Sequence, residues 1–579
     1  MANAPEKKPK TAVKEPEEAV IDPKKPSPAK AAPEKEAGFV QMCLGFIKDW
    51  GWAALLLAAV FIVGYYTLFP SRGYFHSDTT DTLMWAVASN ESGSLFNTDF
   101  DYACLLPFGT TLIMTALIPI FGVTMTTHVL GMFCFFLIFT GALIWMLKKM
   151  DWGWGWIATA VFTVLMICSG SEKLREIFWG HSIYYSLGVQ FIFVGLALLF
   201  SQMDLQAKLD TVTDAAAKKK TRTWFIVFTV LIGVWFLLTC TDQIIAITIF
   251  ALPVMGGVFI ERWLDRDSKP FSRRNKQALL VFGVMGVGMV LGYLLTKVMA
   301  KDITAGYEGA YSNYSGMDKW TDNALTFPKA WLSLLGVTMQ EGDKLMSVDS
   351  VKGLLLVITG VLLLILPLAA LFCYHKIEDV KLRILIIAHW LMVMLIMMGY
   401  ILGKLSNANW RLSPIVAMSA LVSIAFIRWA AGQVSLQRVM TLAMIPMMIV
   451  CTVTAVNIMK MPAKNTEDNH LYRFAEALEA KNLTYGYATF WNANGLTVAS
   501  DSNVKCRAVV IDDGGYRPYY YQTCRSWYKN QPGQSQYFLL MSQGERDQVV
   551  NSGDPIVNNV SQEFVIDGYI VWVFNENIF

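Results

Sequence analysis

Long apolar runs separated by short polar segments repeat along this chain from about residue 50 to residue 460. A helix that crosses a bilayer needs about 20 apolar residues, because the hydrocarbon core is about 30 Å thick. The runs that meet this length are 51–69, 126–147, 153–169, 183–201, 224–240, 243–260, 277–299, 351–373, 382–402, 412–427 and 439–457. The pattern predicts an α-helical polytopic membrane protein with about eleven transmembrane helices.

The two ends of the chain have other patterns. Residues 1–45 are rich in Pro, Lys, Glu and Ala, which predicts a disordered tail because they cannot bury enough apolar surface to fold. Residues 460–579 mix helical periodicity at 470–481 and 542–551 with strand patterns at 484–489, 505–511, 536–541 and 569–574. We therefore expect a tail at 1–45, a transmembrane domain at 46–459 and a C-terminal α/β domain at 460–579.

Composition agrees with a membrane protein and excludes some functions. The chain is 54% hydrophobic and 16% charged, whereas about 25% charge is usual in soluble domains. The net charge of +3 and the lack of a basic stripe argue against nucleic-acid binding. Cys506 and Cys524 lie in the terminal domain, where a disulfide is an open alternative in an oxidising compartment.

The positions of Lys and Arg predict the orientation, because short cytoplasmic loops carry an excess of them. The basic segments 148–149, 218–222, 262–276, 376–383 and 428–438 then share the cytoplasm with the N-terminal tail. Loops 70–125 and 300–350 and the terminal domain lie outside. This assignment requires that the apolar run 105–123, which Pro and Gly interrupt, lies in the outer interface instead of crossing the membrane.

Candidate chemistry is concentrated after the first span, in residues 74–86 (YFHSDTTDTLMWA). Asp78 and Asp81 are about one helical turn apart, so their carboxylates would share a face. Asp99 and Asp101 follow in the same loop. Such a carboxylate can act as a general base, and partial desolvation would raise its pKa toward a useful value. The alternative is a capped, solvated loop helix, since Asp is common at helix starts.

Three other outer segments carry candidates. Residues 171–181 (SEKLREIFWGH) are charged and aromatic, which also fits an interfacial ion-pair cluster. Asp242 separates two apolar runs, as a functional group or as part of a turn. The aromatic side chains of the terminal domain resemble sugar-stacking surfaces, but ordinary core packing explains them as well; they are Trp491, Tyr516, Tyr519, Tyr520, Tyr521, Trp527 and Tyr528.

The order and sidedness of these segments resemble the C-type glycosyltransferase superfamily (GT-C), in particular its bacterial branch of aminoarabinose transferases and protein O-mannosyltransferases. Asp78 and Ala86 match the ends of that family's loop motif, Asp-Glu-x-x-Tyr-x-x-x-Ala. Thr79 and Thr82 depart from it at the Glu and Tyr positions. Residues 409–414 (NWRLSP) resemble its Arg-Tyr-x-x-Pro element with one residue less between Arg411 and Pro414.

The resemblance implies a GT-C-like fold and an inverting glycosyltransferase of the cell envelope that uses a polyprenyl-phosphate sugar donor and an extracytoplasmic acceptor. Asp78 would be the general base, supported by Asp81 and Asp99. Arg411 with Lys173 or Arg175 would bind the donor phosphate, because cations suit phosphate oxygens. Arg411 could instead snorkel to lipid headgroups.

The resemblance also suggests that Glu176, His181 and Asp242 contact the sugar or the acceptor. No motif requires a cofactor, and a role for a divalent metal is left open. The rival functions are a transporter or flippase of lipid-linked saccharides and a non-catalytic protein of envelope-glycan assembly. A transporter would show internal repeats and buried mid-span charges, and no convincing repeat is evident.

Overall fold

The structure is a computed structural model that describes residues 39–102, 110–182, 184–264, 273–299, 313–339, 342, 344, 346–403, 408–512 and 515–579. Most of the predicted tail, residues 1–38, and part of the predicted loop 300–350 lie outside the described residues. By their contacts, residues 1–50 form one unit and residues 51–579 another. The predicted division at residue 460 stays a prediction.

Helices make up most of the described chain. In chain order they are α1 (Phe39–Leu68), α2 (Asp81–Ser92), α3 (Thr110–Phe121), α4 (Met125–Lys149), α5 (Trp154–Ile167), α6 (Glu172–Arg175), α7 (Tyr185–Thr211), α8 (Ala215–Thr239), α9 (Gln243–Ala246), α10 (Leu252–Phe259), α11 (Arg273–Met299), α12 (Trp320–Leu334), α13 (Val348–Phe372), α14 (Val380–Leu402), α15 (Ser413–Ala431), α16 (Gln437–Met459), α17 (His470–Glu479), α18 (Phe490–Ala499) and α19 (Gln543–Asn551).

The polytopic fold class is confirmed. Within the described ranges, nine helical runs are long and apolar enough to cross a membrane, and ten if the bent pair Trp154–Ile167 and Glu172–Gly180 counts as one span. One of the nine, Ala215–Trp263, has 49 residues. At a rise of 1.5 Å per residue it would extend about 70 Å if straight, more than twice the thickness of the hydrocarbon core.

That long run is folded back on itself. Val284 of α11 packs against Gly233, and the ring of Phe282 lies 6.2 Å from that of Trp263. The Phe236 and Phe250 rings lie 4.7 Å apart, although a straight helix would separate residues 236 and 250 by about 21 Å. The reversal falls at the turn Cys240–Asp242, after which Gln243 adopts a φ of 57°. The predicted spans 224–240 and 243–260 are the two arms of this run.

The basic loops that the charge pattern places together do meet at one end of the bundle. The Nζ atom of Lys381 lies 2.6 Å from Asp204 and 3.3 Å from Asp151. Arg383 donates to Glu261 over 3.0 Å. Salt bridges thus join the segments around residues 151, 261 and 381 and the helix α7 at this end, which agrees with the predicted sidedness of the basic segments relative to each other.

The terminal domain packs against the opposite end. Its Asp501 accepts a hydrogen bond from the backbone of Met125, the first residue of α4, over 3.1 Å. Asn465 donates to the carbonyl of Pro70 over 3.1 Å. The helix α3, which precedes α4 in the chain, has only 12 residues, and a helix that crosses the membrane needs about 20. The described part of the apolar run 105–123 is therefore shorter than a span, and its place in the outer interface stays a prediction.

The terminal domain contains a mixed sheet, which confirms the α/β prediction. Its six strands have the order β4-β3-β2-β6-β8-β7, with β2, β3 and β6 parallel and the others antiparallel. The strands are β2 (Tyr485–Thr489), β3 (Lys505–Asp512), β4 (Gly515–Pro518), β6 (Tyr537–Met541), β7 (Gln562–Ile566) and β8 (Tyr569–Phe574). Helix α18 and strands β4 and β7 were not predicted. Cys506 and Cys524 are buried free thiols and not a disulfide.

A second, two-stranded sheet joins the terminal domain to the outer loop. Strand β1 (Phe100–Asp101) pairs antiparallel with β5 (Thr523–Cys524). Arg525 donates two hydrogen bonds to the Asp101 carboxylate, over 3.0 and 3.1 Å. Because this junction fixes the segment after residue 518 against the loop 70–102, it determines which terminal-domain side chains reach the acidic motif.

Candidate functional site

The acidic motif forms a tight turn followed by a helix. Residues Ser77–Thr80 make one turn, which continues directly into α2 at Asp81. The Thr79 hydroxyl donates to the His76 carbonyl over 2.6 Å and accepts from the His76 amide over 3.3 Å, so it closes the turn. The Ser77 hydroxyl accepts a hydrogen bond from the Gly495 amide of α18 over 3.2 Å. The motif is therefore locked between the membrane domain and the terminal domain.

Asp78 and Asp81 lie together in different environments. Asp81 is 2% exposed, and burial raises its pKa to about 8, an effect that a hydrogen bond with Gln522 and the charge on His76 reduce. Asp78 is only partly buried. Burial and then the Asp81 charge raise its pKa, while His181 and His76 lower it. At neutral pH, Asp81 is therefore the carboxyl that keeps its proton.

His181 completes this pair from the segment after the bent helix. Its Nε2 atom lies 3.9 Å from Oδ2 of Asp81, beyond hydrogen-bond distance. Burial lowers the pKa of His181 to about 4, so the imidazole is neutral at pH 7. Among the described residues, His181 Nε2 and Asp81 Oδ1 have no hydrogen-bond partner. The pair therefore has unsatisfied polar atoms where a polar substrate group could bind.

A chain of charged contacts connects the acids to a basic group. The Nε2 atom of His76 lies 3.5 Å from Glu176, and the other Glu176 oxygen accepts from Lys173 Nζ over 2.5 Å. The same Nζ atom lies 5.3 Å from the ring centre of Trp410. Segments that are far apart in sequence therefore meet at one end of the bundle.

Arg411, the next residue, lies on the same short turn, Asn409–Leu412. It is partly exposed and interacts with the hydroxyl of Tyr185, as Trp410 does. Lys173 therefore lies over the Trp410 ring, and Arg411 follows Trp410 on the same turn. This arrangement is suited to an anionic group with oxygen acceptors.

Three predicted site residues lie elsewhere. Arg175 is 8% exposed; it donates to the Ser169 carbonyl over 3.0 Å, and its guanidinium lies over the Tyr66 ring. The Asp99 carboxylate accepts from the Ser526 amide over 2.9 Å, at the junction with the terminal domain. Asp242 is buried in the turn between α8 and α9. Arg175 and Asp99 thus interact with these neighbours, and the roles predicted for Arg175, Asp99 and Asp242 stay predictions.

Two residues beside the acidic motif come from the terminal domain; Gln522 was not predicted, and Trp491 was named only among the aromatic candidates of that domain. Gln522 is 1% exposed, has a φ of 55°, and places its amide beside Asp81. The ring of Trp491 lies 6.1 Å from that of His76. The sequence holds one signal for them, the aromatic richness around 516–528, but no pattern that indicates which aromatic residues face the acids.

The described residues contain no group of three or more His, Cys, Asp and Glu side chains arranged to hold a metal ion. His76, Asp78, Asp81, Glu176 and His181 are close to one another, but Glu176 pairs with His76 and Lys173, and Asp81 lies beside His181. We therefore assign no residue to metal binding.

The fold and this site define a multi-pass membrane protein with a polar cluster between its helical bundle and an α/β domain. No protein-family model matches the chain, and none of the curated proteins matches it. Among solved structures, it is similar to the crystal structure of ArnT from Cupriavidus metallidurans bound to undecaprenyl phosphate. The identity is 14% and the TM-score 0.42, with 90% of this chain and 98% of that chain covered. At this level of similarity, the function of this chain is argued from its own residues.

Proposed function

We propose that this protein is a membrane glycosyltransferase that moves a sugar from a polyprenyl-phosphate donor to an extracytoplasmic acceptor, which is an envelope glycan, lipid or protein. One observation carries the proposal. The acidic pair of Asp78 and Asp81 lies beside His76, His181 and Glu176, Glu176 pairs with Lys173, and Lys173 lies over the ring of Trp410, the neighbour of Arg411 in the chain. A base and a phosphate-binding group are the two functions that this transfer requires.

The two carboxyl groups have different roles in this proposal, one as the base and one as its protonated neighbour, because their environments differ. Asp81 is buried and holds its proton at neutral pH, whereas the more exposed Asp78 can ionise. A protonated neighbour does not add a second negative charge, so it leaves Asp78 available as the general base. Burial raises the pKa of Asp78, and this contribution, which does not need a charge on Asp81, strengthens Asp78 as a base compared with an ordinary surface aspartate.

The phosphate would bind between Lys173 and Arg411. Lys173 is held by Glu176 in the absence of substrate, and His76 on the other side of Glu176 offers this carboxylate a second partner. A phosphate can therefore draw Lys173 toward itself without leaving Glu176 unpaired. The indole of Trp410 next to both cations provides an apolar face at 40% exposure, which suits the first carbons of a polyprenyl chain.

The reaction would run as a single displacement. The acceptor oxygen or nitrogen attacks the anomeric carbon while its proton passes to the Asp78 carboxylate. The bond between the anomeric carbon and the phosphate oxygen breaks, and the electron pair leaves with the phosphate. Lys173 and Arg411 stabilise this growing charge. One displacement inverts the configuration at the anomeric carbon, and Asp78 then releases its proton to water.

The location of the site supports the proposed topology. The site lies at the end of the bundle away from the loops of Asp151, Asp204 and Lys381. Since basic short loops mark the cytoplasmic side, we place the N-terminus inside, and the site and the terminal domain outside the plasma membrane. The lipid tail of the donor would enter from the bilayer between helices.

The test compares Asp78→Asn with Asp512→Asn, which removes an exposed carboxylate paired with Arg517 in the terminal domain. Cells that lack the gene receive each variant and are labelled with radioactive sugar. We expect Asp78→Asn to accumulate labelled polyprenyl-phosphate sugar and to lose a labelled envelope product, as the empty strain does. Asp512→Asn should behave like the wild type.

An unchanged product profile with Asp78→Asn would contradict the proposal and favour a non-catalytic assembly protein. If Asp78→Asn fails to deliver the lipid-linked sugar to the outer face while Asp512→Asn delivers it, measured by accessibility of the sugar to periodate on intact cells, a flippase is favoured. Protein amounts in the membrane, measured by immunoblot, show that each variant is produced.

A further inference from the structure

An aromatic patch on the terminal domain borders the acidic cluster, and the proposed reaction does not use it. It consists of Phe490, Trp491, Tyr519 and Tyr521, and we call it the aromatic platform. The Phe490 ring lies 5.3 Å from both Trp491 and Tyr521. Tyr519 and Tyr521 stack at 5.5 Å with an angle of 16° between their planes.

The platform is open to solvent at its centre. Trp491 is 60% exposed, although a tryptophan usually buries most of its large apolar surface. Phe490, Tyr519 and Tyr521 are partly exposed. The helix that carries Trp491 is firmly placed, because the Gly495 amide donates to Ser77. The exposed indole is thus a fixed feature of the site and not a side chain on a loose segment.

Polar atoms without partners lie along the inner edge of the platform. Gln522 directly follows Tyr521, and its backbone amide donates to the Asp101 carbonyl over 2.9 Å. Its side chain reaches Asp81, and within the described ranges Gln522 Oε1 and Asp81 Oδ1 accept no hydrogen bond. A buried acceptor without a donor is costly, so a ligand that supplies hydroxyl donors would be stabilised here.

From these observations we infer that the aromatic platform binds a pyranose ring of the acceptor, which makes the acceptor a glycan or a glycolipid. A pyranose has an apolar face of C–H groups and a rim of hydroxyls. The face matches Trp491, and the rim matches the unpaired acceptors of Gln522 and Asp81. A lipid tail would leave these acceptors unsatisfied. The inference rests on the proposed function, which it extends by naming the class of the acceptor.

The geometry also links the platform to the reacting group. Trp491 contacts His76, two residues before Asp78, and Gln522 contacts Asp81. A ring stacked on Trp491 therefore lies next to the proposed base. Stacking would hold the sugar while one of its hydroxyls points toward the carboxylate.

The test places a photo-reactive benzoylphenylalanine at Tyr521 in the full-length protein in the cells that produce it. The control places it at Tyr520, which is 41% exposed but packs against Tyr528 and Arg525 instead. We expect irradiation to give an adduct at position 521 that periodate oxidises and hydrazide labels, and none at position 520. In the Trp491→Ala background its yield should fall roughly 3- to 10-fold, the effect of one aromatic face, and Trp491→Phe should restore most of it.

Three results would overturn the inference: no adduct at position 521, an adduct that a protease removes, or a phospholipid adduct without sugar. The same experiment in the Asp78→Asn protein separates the two proposals, because binding does not require the reaction. If transfer depends on Asp78 but no glycan is captured, only the platform is wrong. If a glycan is captured and Asp78→Asn still transfers sugar, the platform is a glycan site and the proposed mechanism is wrong.

Discussion

The ammonium group of Lys173 lies 5.3 Å from the ring centre of Trp410, and so connects the segment after the bent helix to the turn that carries Arg411. The same ammonium group also forms a salt bridge with the Glu176 carboxylate. A cation held between a carboxylate and an indole is positioned but not fully neutralised, because the carboxylate is shared with His76. This relationship leads to the first prediction.

Arg411→Ala and Lys173→Ala should each weaken the binding of undecaprenyl phosphate to the purified protein in nanodiscs. A charge-assisted hydrogen bond contributes about 1.5–3 kcal/mol, so each loss should be roughly 10- to 100-fold in Kd. Native mass spectrometry or a fluorescence competition assay measures the change. The control is Arg517→Ala, an exposed arginine paired with Asp512, and it should bind like the wild type. Equal affinities for all three variants would exclude this phosphate site.

The buried Asp81 should make stability depend on pH. Its pKa is about 8 in the folded protein, whereas the ordinary value of an aspartate is 3.8, so between these values the folded state binds more protons than the unfolded state. Its contribution to stability is present at acid pH and is lost as the pH rises toward 8 and above. Asp81→Asn imitates the protonated form. We expect its Tm to exceed that of the wild type by several degrees at pH 8.5 and by much less at pH 5.

Thermal unfolding in detergent by intrinsic fluorescence measures this difference, with Asp99→Asn as the comparison, because Asp99 is hydrogen-bonded to the Ser526 amide. A wild-type Tm that does not fall between pH 5 and pH 8.5 relative to Asp81→Asn would show that Asp81 is ionised in the folded protein.

Gln522 should control the protonation of Asp81. Its hydrogen bond lowers the pKa of that carboxyl, so Gln522→Leu, which removes the amide at similar volume, should raise the pKa further. Infrared difference spectra of the protonated carboxyl band, followed as a function of pH, report this shift, and the band disappears in Asp81→Asn. A titration that is unchanged in Gln522→Leu would mean that the amide does not contact the acid.

The Asp101–Arg525 pair should hold the platform segment in place. Asp101→Ala removes two hydrogen bonds, and since Arg525 is 58% exposed, we expect a cost of only about 1 kcal/mol. The visible effect should be faster hydrogen exchange in residues 519–525. Asp512→Ala breaks a similar pair at the surface and should leave exchange in 519–525 unchanged. Equal exchange in both variants would mean that the β1–β5 pairing alone fixes the segment.

Local patterns predicted the regular elements well, for identifiable reasons. The spans can be predicted from the sequence because a helix that crosses the bilayer needs a continuous run of about 20 apolar residues. Strand β8 matches its predicted bounds, 569–574, and the predicted helix at 542–551 begins with a cap in which Ser542 and Glu545 form reciprocal hydrogen bonds. Helix α18 (FWNANGLTVA) was missed because Asn and Gly weaken its pattern, and its contact with Ser77 is what stabilises it there.

The site was only partly predictable. Asp78, Asp81, Lys173, Glu176, His181 and Arg411 were named from their segments, and the structure places them at one end of the bundle. Arg175 and Asp99 lie in the same segments as these residues and carry the same kinds of charge, but their side chains interact with other neighbours. Arg175 packs on Tyr66, and Asp99 receives the Ser526 amide. No sequence pattern distinguishes a charged side chain that faces a site from one that packs inside.

The amino-acid sequence by itself determined which stretches cross the membrane and where the acidic motif lies, because these features depend on hydropathy and on residues close together in the chain. The tertiary structure alone decided that Gln522 and Trp491 border Asp81 and His76. That proximity depends on the two-residue pairing of β1 with β5, between segments separated by most of the chain. Pairing between backbones does not depend on particular side chains, so the sequence does not predict it.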